Sequence, residues 1–187
     1  DLPKNVISGG INSTSQINAI KKFIELENIQ KSIFLIPNLN YDLEIEKGIK
    51  SSKIKIFKKY HYDIEPTKLT QQIEKITNYA IRKQNLIDEI TRLENSDDPV
   101  KERKIENLKK RYTLGNLSFD SVVITDFDES LKSVITSLLY SDVSPKDFHL
   151  ITLNQWFDES LLKETNLQPI YYPSINKKNL DNFKKKF

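Results

Sequence analysis

The sequence contains no cysteine and no methionine, and only four of its 187 residues are glycine. Without cysteine, disulfide bonds and thiolate metal sites are excluded. The few glycines do not have the spacing that cradles a phosphate group, which excludes the common nucleotide-binding loops. The two histidines, His61 and His149, stand in neither a metal-binding nor a catalytic-triad pattern. We therefore expect no metal, no cofactor and no nucleophile–base pair.

The charge balance is close to neutral, with 29 basic and 26 acidic residues and a net charge of +3. This bias is too small to indicate a nucleic-acid partner, and the lysine runs near the C-terminus are predicted to form a solvated face. No apolar stretch approaches the roughly 20 residues that a membrane-spanning helix requires. Because the first residue is Asp1 rather than methionine, we expect the chain to begin inside a longer product.

Short apolar segments alternate with amphipathic helical patterns along most of the chain. This alternation predicts one α/β domain, a three-layer sandwich with a parallel sheet of about five strands and helices on both faces. The expected strand order is 2-1-3-4-5. The strands are predicted at residues 32–36, 53–60, 122–124, 148–153 and 168–172, after a shorter strand at 5–8. Shorter helices are predicted at 41–49, stopping near Gly48, and at 158–163 and 176–187.

A longer helical pattern covers residues 69–93. It breaks at residues 95–99, where Pro99 can open a second helix that ends in basic residues followed by glycine. The two helices predict an antiparallel helical hairpin inserted into the domain over about residues 67–113. A packing arm or a dimer contact is the expected role of this hairpin.

Polar side chains follow three of the predicted strands. The carboxyl ends of parallel strands meet at one edge of the sheet, and ligand sites lie where the strand order reverses. The three loops offer amides, a hydroxyl, two carboxylates, a phenol and an indole, a set that suits a small polar or zwitterionic ligand. The candidate ligand-binding residues are Asn38, Tyr41, Thr125, Asp126, Asn154 and Trp156.

One alternative is enzymatic. Residues 122–130 read VVITDFDES, which resembles the first motif of the haloacid-dehalogenase phosphotransferases, and Thr152 resembles the second. The resemblance implies a magnesium-dependent phosphatase with Asp126 as nucleophile and Asp128 as general acid. However, no paired aspartates follow Thr152 to hold magnesium, and either acid could instead cap the following helix. A phosphoacceptor signalling domain is a further alternative, but the first main strand ends without an acidic residue.

Several longer segments share their order and spacing with one family of binding proteins. Residues 6–16 (VISGGINSTSQ) match a strand that leaves a first lobe and the helix that opens a second. The segments 34–41 (FLIPNLNY), 60–73, 112–142 (with LGNLSFDSVV) and 150–162 (LITLNQWFDESLL) follow in the same order. Together they resemble the second lobe of a type I periplasmic binding protein. Within that family they are similar to the penicillin-binding-protein activators and the leucine/isoleucine/valine-binding receptors.

The resemblance implies an exported, non-enzymatic lobe over residues 1–187, with the first lobe absent from this sequence. Such a lobe binds a small polar ligand such as an amino acid by hinge closure, or activates a peptidoglycan synthase by direct contact. It implies a periplasmic location, or a lipoprotein anchored to the outer membrane that faces the periplasm. By position, this lobe's half of the cleft is lined by Asn38, Tyr41, Asp126, Asn154 and Trp156. The carboxylate of Asp126 is the candidate partner for a ligand ammonium group.

Overall fold

The computed structural model describes residues 12–154, 163–174, 182 and 185. The strands in these ranges are β1 (Ser32–Pro37), β2 (Lys58–Tyr62), β3 (Ser121–Ile124), β4 (His149–Thr152) and β5 (Ile170–Tyr171). They form one parallel sheet in the order β2-β1-β3-β4-β5. The predicted α/β class and strand order are confirmed. The strand predicted at 5–8 and Trp156 lie outside the described residues, as do most of the helices predicted at 158–163 and 176–187.

Helices cover both faces of this sheet. The helices in the described ranges are α1 (Ser13–Leu26), α2 (Asp42–Ser52), α3 (Pro66–Ile76), α4 (Tyr79–Glu94), α5 (Lys101–Lys109) and α6 (Asp128–Tyr140), with a 3-10 turn at Thr165–Leu167. The apolar stripes of α1 and α2 pack on one face of the sheet, and those of α3 and α6 pack on the other. None of the helices in the described ranges has the length and apolar character needed to cross a membrane.

Side chains of the central strands alternate between the two cores. Ile33 and Leu35 of β1 face the α3/α6 side, whereas Phe34 and Ile36 face the α1/α2 side. All four are at most 1% exposed. Burial on both faces is the environment of a central strand in a parallel sheet that carries helices on each side. It explains why these strands appear in the sequence as continuous apolar runs.

The edge strand β2 lies several residues later than predicted. The sequence pattern placed a strand at 53–60, with Ile54 and Ile56 on one face. Instead, α2 continues to Ser52, and Lys53 ends it in the left-handed conformation with φ 52°. Ile54 is buried in the connection that follows, not in a strand. The alternating apolar residues therefore belong to a loop and not to a strand. The predicted residue range of this strand was wrong, whereas its predicted place at the edge of the sheet was right.

Gly48 does not end α2 as predicted. It lies inside the helix and is buried where α2 crosses the start of α1. A Cβ atom at this position would lie 3.2 Å from the backbone carbon of Ser13 and 3.3 Å from the backbone nitrogen of Thr14. The glycine therefore allows a close approach of two helix backbones that a Cβ atom would crowd, a use of glycine that sequence pattern alone does not distinguish from a helix stop.

The long helix predicted over 69–93 is two helices. The chain turns at Asn78, which has φ 52°, and the hydroxyl of Thr77 closes α3 by donating to the carbonyl of Ile73 at 2.9 Å. Leu69 and Ile73 are buried in the α3/α6 core, so α3 is a layer helix of the sandwich. The antiparallel pair is formed by α4 and α5, which pack on each other. It therefore begins at Tyr79 instead of near residue 67.

A buried guanidinium fastens the α4–α5 pair to the domain. Arg82 is 7% exposed, and its Nη1 donates to the carbonyl of Ser141 at 3.1 Å. Its Nη2 donates to Thr113 Oγ1 at 2.7 Å and lies 3.5 Å from Asp142 Oδ2. The hydroxyl of Thr113 in turn donates to the same carboxylate. These bonds join α4, the segment after α5 and the end of α6 at one point.

Gly48→Val tests the close helix crossing. The branched side chain would meet backbone atoms of α1 that cannot move aside, so we expect the free energy of unfolding to fall by about 1–3 kcal/mol. Urea denaturation followed by circular dichroism measures this change. Lys47→Val, at the exposed neighbouring position, should change stability by less than about 1 kcal/mol, the range of helix propensity alone. Equal stabilities of the two variants would contradict the packing role.

Arg82→Met tests the fastening of the helix pair. The substitution keeps much of the apolar stem but leaves the carboxylate of Asp142 without its cation, so we expect a loss of about 2–3 kcal/mol. The matched control is Arg92→Met, because Arg92 pairs with Glu89 at 2.7 Å on the exposed surface. That control should cost less than about 1 kcal/mol. Amide hydrogen exchange in α4 should accelerate only in the Arg82 variant. Unchanged exchange would contradict the role of Arg82 in holding the helix pair on the domain.

Candidate functional site

Side chains from three strand ends converge at the carboxyl edge of the sheet. Asp126 follows β3, Tyr62 is the last residue of β2, and Tyr41 ends the loop between β1 and α2. The strand β1 lies between β2 and β3, so the chain leaves β1 on one side and later returns on the other. This is the switch point at which open α/β sheets place their ligand sites.

Asp126 is 2% exposed, and hydrogen bonds replace the water that its carboxylate has lost. Its Oδ1 accepts from the hydroxyl of Tyr41 and from the amide of Phe127, both at 2.8 Å. Its Oδ2 accepts from the hydroxyl of Tyr62 and from Ser130 Oγ at 2.5 Å. A buried carboxylate is tolerated when it is bonded in this way. We refer to Asp126, Tyr41, Tyr62 and Ser130 as the Asp126 cluster.

The two phenols of the cluster are held in their protonated form. Burial, followed by the charge of Asp126, raises the pKa of both Tyr41 and Tyr62 well above the usual value for a phenol. Both side chains therefore keep their protons at neutral pH and act as donors to the carboxylate. The cluster is an arrangement of donors around one acceptor, which suits recognition of a ligand more than transfer of a proton.

The start of α6 fixes the carboxylate in place. The N-cap position belongs to Phe127, and its side chain makes no capping hydrogen bond. Asp126 lies before this position and Asp128 after it, so neither occupies the N-cap considered in the sequence analysis. Asp128 has φ 51°, which turns the chain sharply into the helix. Ser130, in the first turn, then reaches back to Asp126, so the helix start and the strand end are joined through one side chain.

The remaining predicted residues have different surroundings. Thr125 is fully buried, and its hydroxyl donates to a carbonyl of β1 at 3.2 Å, so it serves the sheet. Asn38 is exposed just after β1, where its backbone amide donates to the last backbone carbonyl of β2 at 2.9 Å. Asn154 is half-buried after β4, and its backbone amide donates to the side-chain oxygen of a glutamine in α1 at 2.8 Å. Trp156 lies outside the described residues.

Sequence reasoning missed two members of the cluster, Tyr62 and Ser130. Tyr62 was overlooked because β2 was placed too early, so that only three strand ends were considered to reach the carboxyl edge. The alternation of Tyr60 and Tyr62 in a strand was the available signal. Ser130 lies in the first turn of α6, and the signal available for it was a hydroxyl residue at a predicted helix start that can reach back to an acid just before the helix.

The two acids of the phosphatase alternative lie in contrasting environments. Asp126 is buried and bonded to hydroxyl groups, whereas Asp128 is exposed at the start of α6. Thr152, the match to the second motif, is fully buried, and its hydroxyl donates to the carbonyl of Leu153 at 2.9 Å. Within residues 12–154 and 163–174, no group of three or more histidine or acidic side chains is arranged to hold a metal ion.

Comparisons with known proteins give structural likenesses that are distant, and one of them is described here. No protein-family model matches the chain, and no curated protein matches it. Among solved structures, it is similar to an extracellular ligand-binding receptor from Verminephrobacter eiseniae, with 11% sequence identity and a TM-score of 0.43. The match covers 76% of this chain and 30% of the receptor chain.

Tyr62→Phe tests the Asp126 cluster at alkaline pH. Above pH 10.0, the ordinary pKa of a phenol, an unfolded chain releases the Tyr62 proton, whereas the folded chain retains it because the pKa is raised. The free energy of unfolding therefore falls as pH rises. Tyr62→Phe should remove up to about 1.4 kcal/mol per pH unit of that slope. Urea denaturation at a series of pH values measures it.

The matched control for this experiment is Tyr140→Phe, because Tyr140 is 75% exposed. Its hydroxyl lies on the surface and away from Asp126, so the substitution should leave the slope unchanged. At neutral pH, Tyr62→Phe should also cost about 1–3 kcal/mol, since it takes one donor from a buried carboxylate. Identical pH slopes for the wild type and Tyr62→Phe would contradict the proposed burial of this hydroxyl against Asp126.

Proposed function

We propose that this chain is a non-enzymatic, ligand-binding lobe of the type I periplasmic-binding-protein kind, with an amino-acid-type ligand. The observation that carries the proposal is the Asp126 cluster. One buried carboxylate lies at the switch point of a parallel sheet, and hydroxyl donors reach it from two neighbouring strand ends and a helix start. This gives a single negative group, already oriented, at the edge where such sheets bind ligands.

The ligand group that fits this acceptor is an ammonium ion. It would replace one hydroxyl donor of Asp126 with a charged donor, and charge-assisted hydrogen bonds are about twice as strong as neutral ones. Tyr41 is the partner that yields, because its side chain is half-buried and its residue lies in a loop, whereas Tyr62 is fully buried in a strand. The rings of Tyr41 and Phe127 make an edge-on contact, with 5.8 Å between their centres, and form the apolar wall beside this position.

The ligand-binding site would be completed by a facing lobe. In this proposal, Asn38 and Asn154 supply polar groups from the adjacent strand ends, and closure about a hinge brings a second lobe over the ligand. An extracytoplasmic location in the periplasm and a first lobe encoded outside this sequence belong to the same proposal. Its support is the resemblance in motif order along the chain together with the geometry of the Asp126 cluster.

The proposal is tested by thermal unfolding in the presence of a panel of amino acids. A ligand at about 100 times its Kd stabilises the folded state by about 2.7 kcal/mol, which should raise Tm by roughly 5–10 °C. Asp126→Asn should abolish the rise. The matched control is Asp128→Asn, at the exposed acid two positions later, which should leave the rise unchanged. A phosphatase would instead lose its activity in both variants.

A second variant keeps the test independent of folding defects. Tyr41→Phe removes the hydroxyl that competes with the ligand for Asp126, so affinity should increase or stay the same. Tm without ligand should fall less than in Tyr62→Phe, because Tyr41 is only half-buried. Lower affinity in Tyr41→Phe would contradict the exchange of donors at Asp126. A wild-type protein that responds to no amino acid but binds a peptidoglycan synthase would support the activator branch of the same family. Phosphate-ester hydrolysis that depends on Asp126 would overturn the proposal.

A further inference from the structure

The region from α2 to β2 carries a concentration of positive charge that the candidate site does not use. Residues 47–62 contain no acidic residue, although the whole chain has a net charge of only +3. All of the lysines in this stretch are exposed. They are Lys47, Lys50, Lys53, Lys55, Lys58 and Lys59. Within the described residues, only Lys59 of these is in an ion pair, with Glu46 at 2.6 Å.

An exposed aromatic ring lies among these cations. The side chain of Phe57 is 40% exposed, and the ammonium groups of Lys31 and Lys58 each lie 5.6 Å from its ring centre. The amide of Phe57 donates to the carbonyl of Ser32 at 2.9 Å, which fixes the ring at the start of β1 and β2. We call Lys31, Phe57 and the unpaired lysines of residues 47–58 the basic patch. One acid, Asp120, accepts a bond from the backbone amide of Lys31 at 2.9 Å.

The basic patch lies at the amino end of the sheet. Lys31 and Lys58 immediately precede or open parallel strands, and α2 delivers Lys53 and Lys55 to the same end. Leu26, which is 78% exposed, closes α1 just before the chain enters β1. An exposed leucine and an exposed phenylalanine therefore share this end of the molecule with the lysine cluster.

We propose that the basic patch docks this protein on an anionic phospholipid surface. Lysines near a negatively charged membrane contribute a long-range attraction that needs no defined geometry. Apolar side chains among them add binding by entering the interface between headgroups and acyl chains. The patch supplies both, because two ammonium groups lie near the ring of Phe57 and the ring is only partly covered.

The composition of the patch favours lipid over nucleic acid. All of its cations are lysines, and lysine acts as a point charge, whereas arginine is the residue suited to bidentate phosphate recognition. Sequence-tolerant nucleic-acid surfaces stack successive bases on several aromatic rings along a groove. Here a single exposed ring lies at the amino end of the sheet, which does not provide such a series of rings.

Vesicle flotation of the 187-residue chain tests the proposal. The chain should bind vesicles of phosphatidylcholine mixed with phosphatidylglycerol, and not vesicles of phosphatidylcholine alone. Removing Lys50, Lys55 and Lys58 together, each to glutamine, should lower the partition coefficient roughly fivefold per lysine, or about a hundredfold in all. Lys53 is left in place because its left-handed backbone makes substitution there less neutral. Binding should also weaken strongly with added salt.

The matched control removes the same amount of charge elsewhere. In it, Lys75 of α3, Lys83 of α4 and Lys109 of α5 are changed to glutamine. These lysines are exposed and lie outside the patch, so this variant should bind almost as the wild type does. Phe57→Ala should bind anionic vesicles several-fold more weakly. Phe57→Trp should show a larger blue shift of its emission on binding than the wild type, whose single tryptophan is Trp156. Melting curves of all variants establish that they are folded.

Three outcomes would overturn the proposal. The first is no binding to anionic vesicles by the wild type. The second is equal binding by the patch variant and its matched control, which would show that general charge and not this surface is responsible. The third is binding to a short oligonucleotide at lower protein concentration than to the vesicles, which would assign the patch to nucleic acid.

Discussion

Two-sided burial of the central strands is the constraint on which the rest of this structure depends. β1 and β3 have apolar side chains on both faces, and each face requires its own layer of helices. The chain meets this requirement by sending α1 and α2 to one side and α3 and α6 to the other. All strands are parallel, so their amino ends lie together at one end of the sheet and their carboxyl ends at the other. Each connection therefore runs from the carboxyl end back to the amino end.

This arrangement makes the carboxyl edge chemically distinct. Where β3 ends, the chain must turn from a buried strand into a helix, and a carboxylate at that turn is removed from water. Asp126 is tolerated there because hydroxyl groups from β2, the β1–α2 loop and α6 bond to it. The same bonds join three elements that are distant in sequence. Asp126 therefore stabilises this edge whether or not it binds a ligand, so its structural role and the proposed binding role have to be separated by variants that change one donor at a time.

Sequence pattern was sufficient for the order of the strands and insufficient for details that depend on a neighbour in space. Apolar runs such as Val122–Ile124 report burial directly, since both faces of the strand are covered. Gly48 was misread because a glycine that permits a helix crossing looks the same in sequence as one that ends a helix. The break at Asn78 and the position of β2 were missed because local periodicity continued through them. Tyr62 joined the site only when three-dimensional pairing placed the end of β2 beside Asp126.

The two proposed surfaces lie at opposite ends of the sheet, and parallel topology makes this separation necessary. Lysines that precede strands collect at the amino end, whereas residues that follow strands, such as Asp126, collect at the carboxyl end. A molecule docked on a membrane through Phe57 and its neighbouring lysines therefore presents the Asp126 edge away from the lipid. Ligand capture by that edge and docking by the basic patch do not compete for the same surface. Removing patch lysines should accordingly leave ligand affinity unchanged, whereas a shared surface would make the two properties fail together.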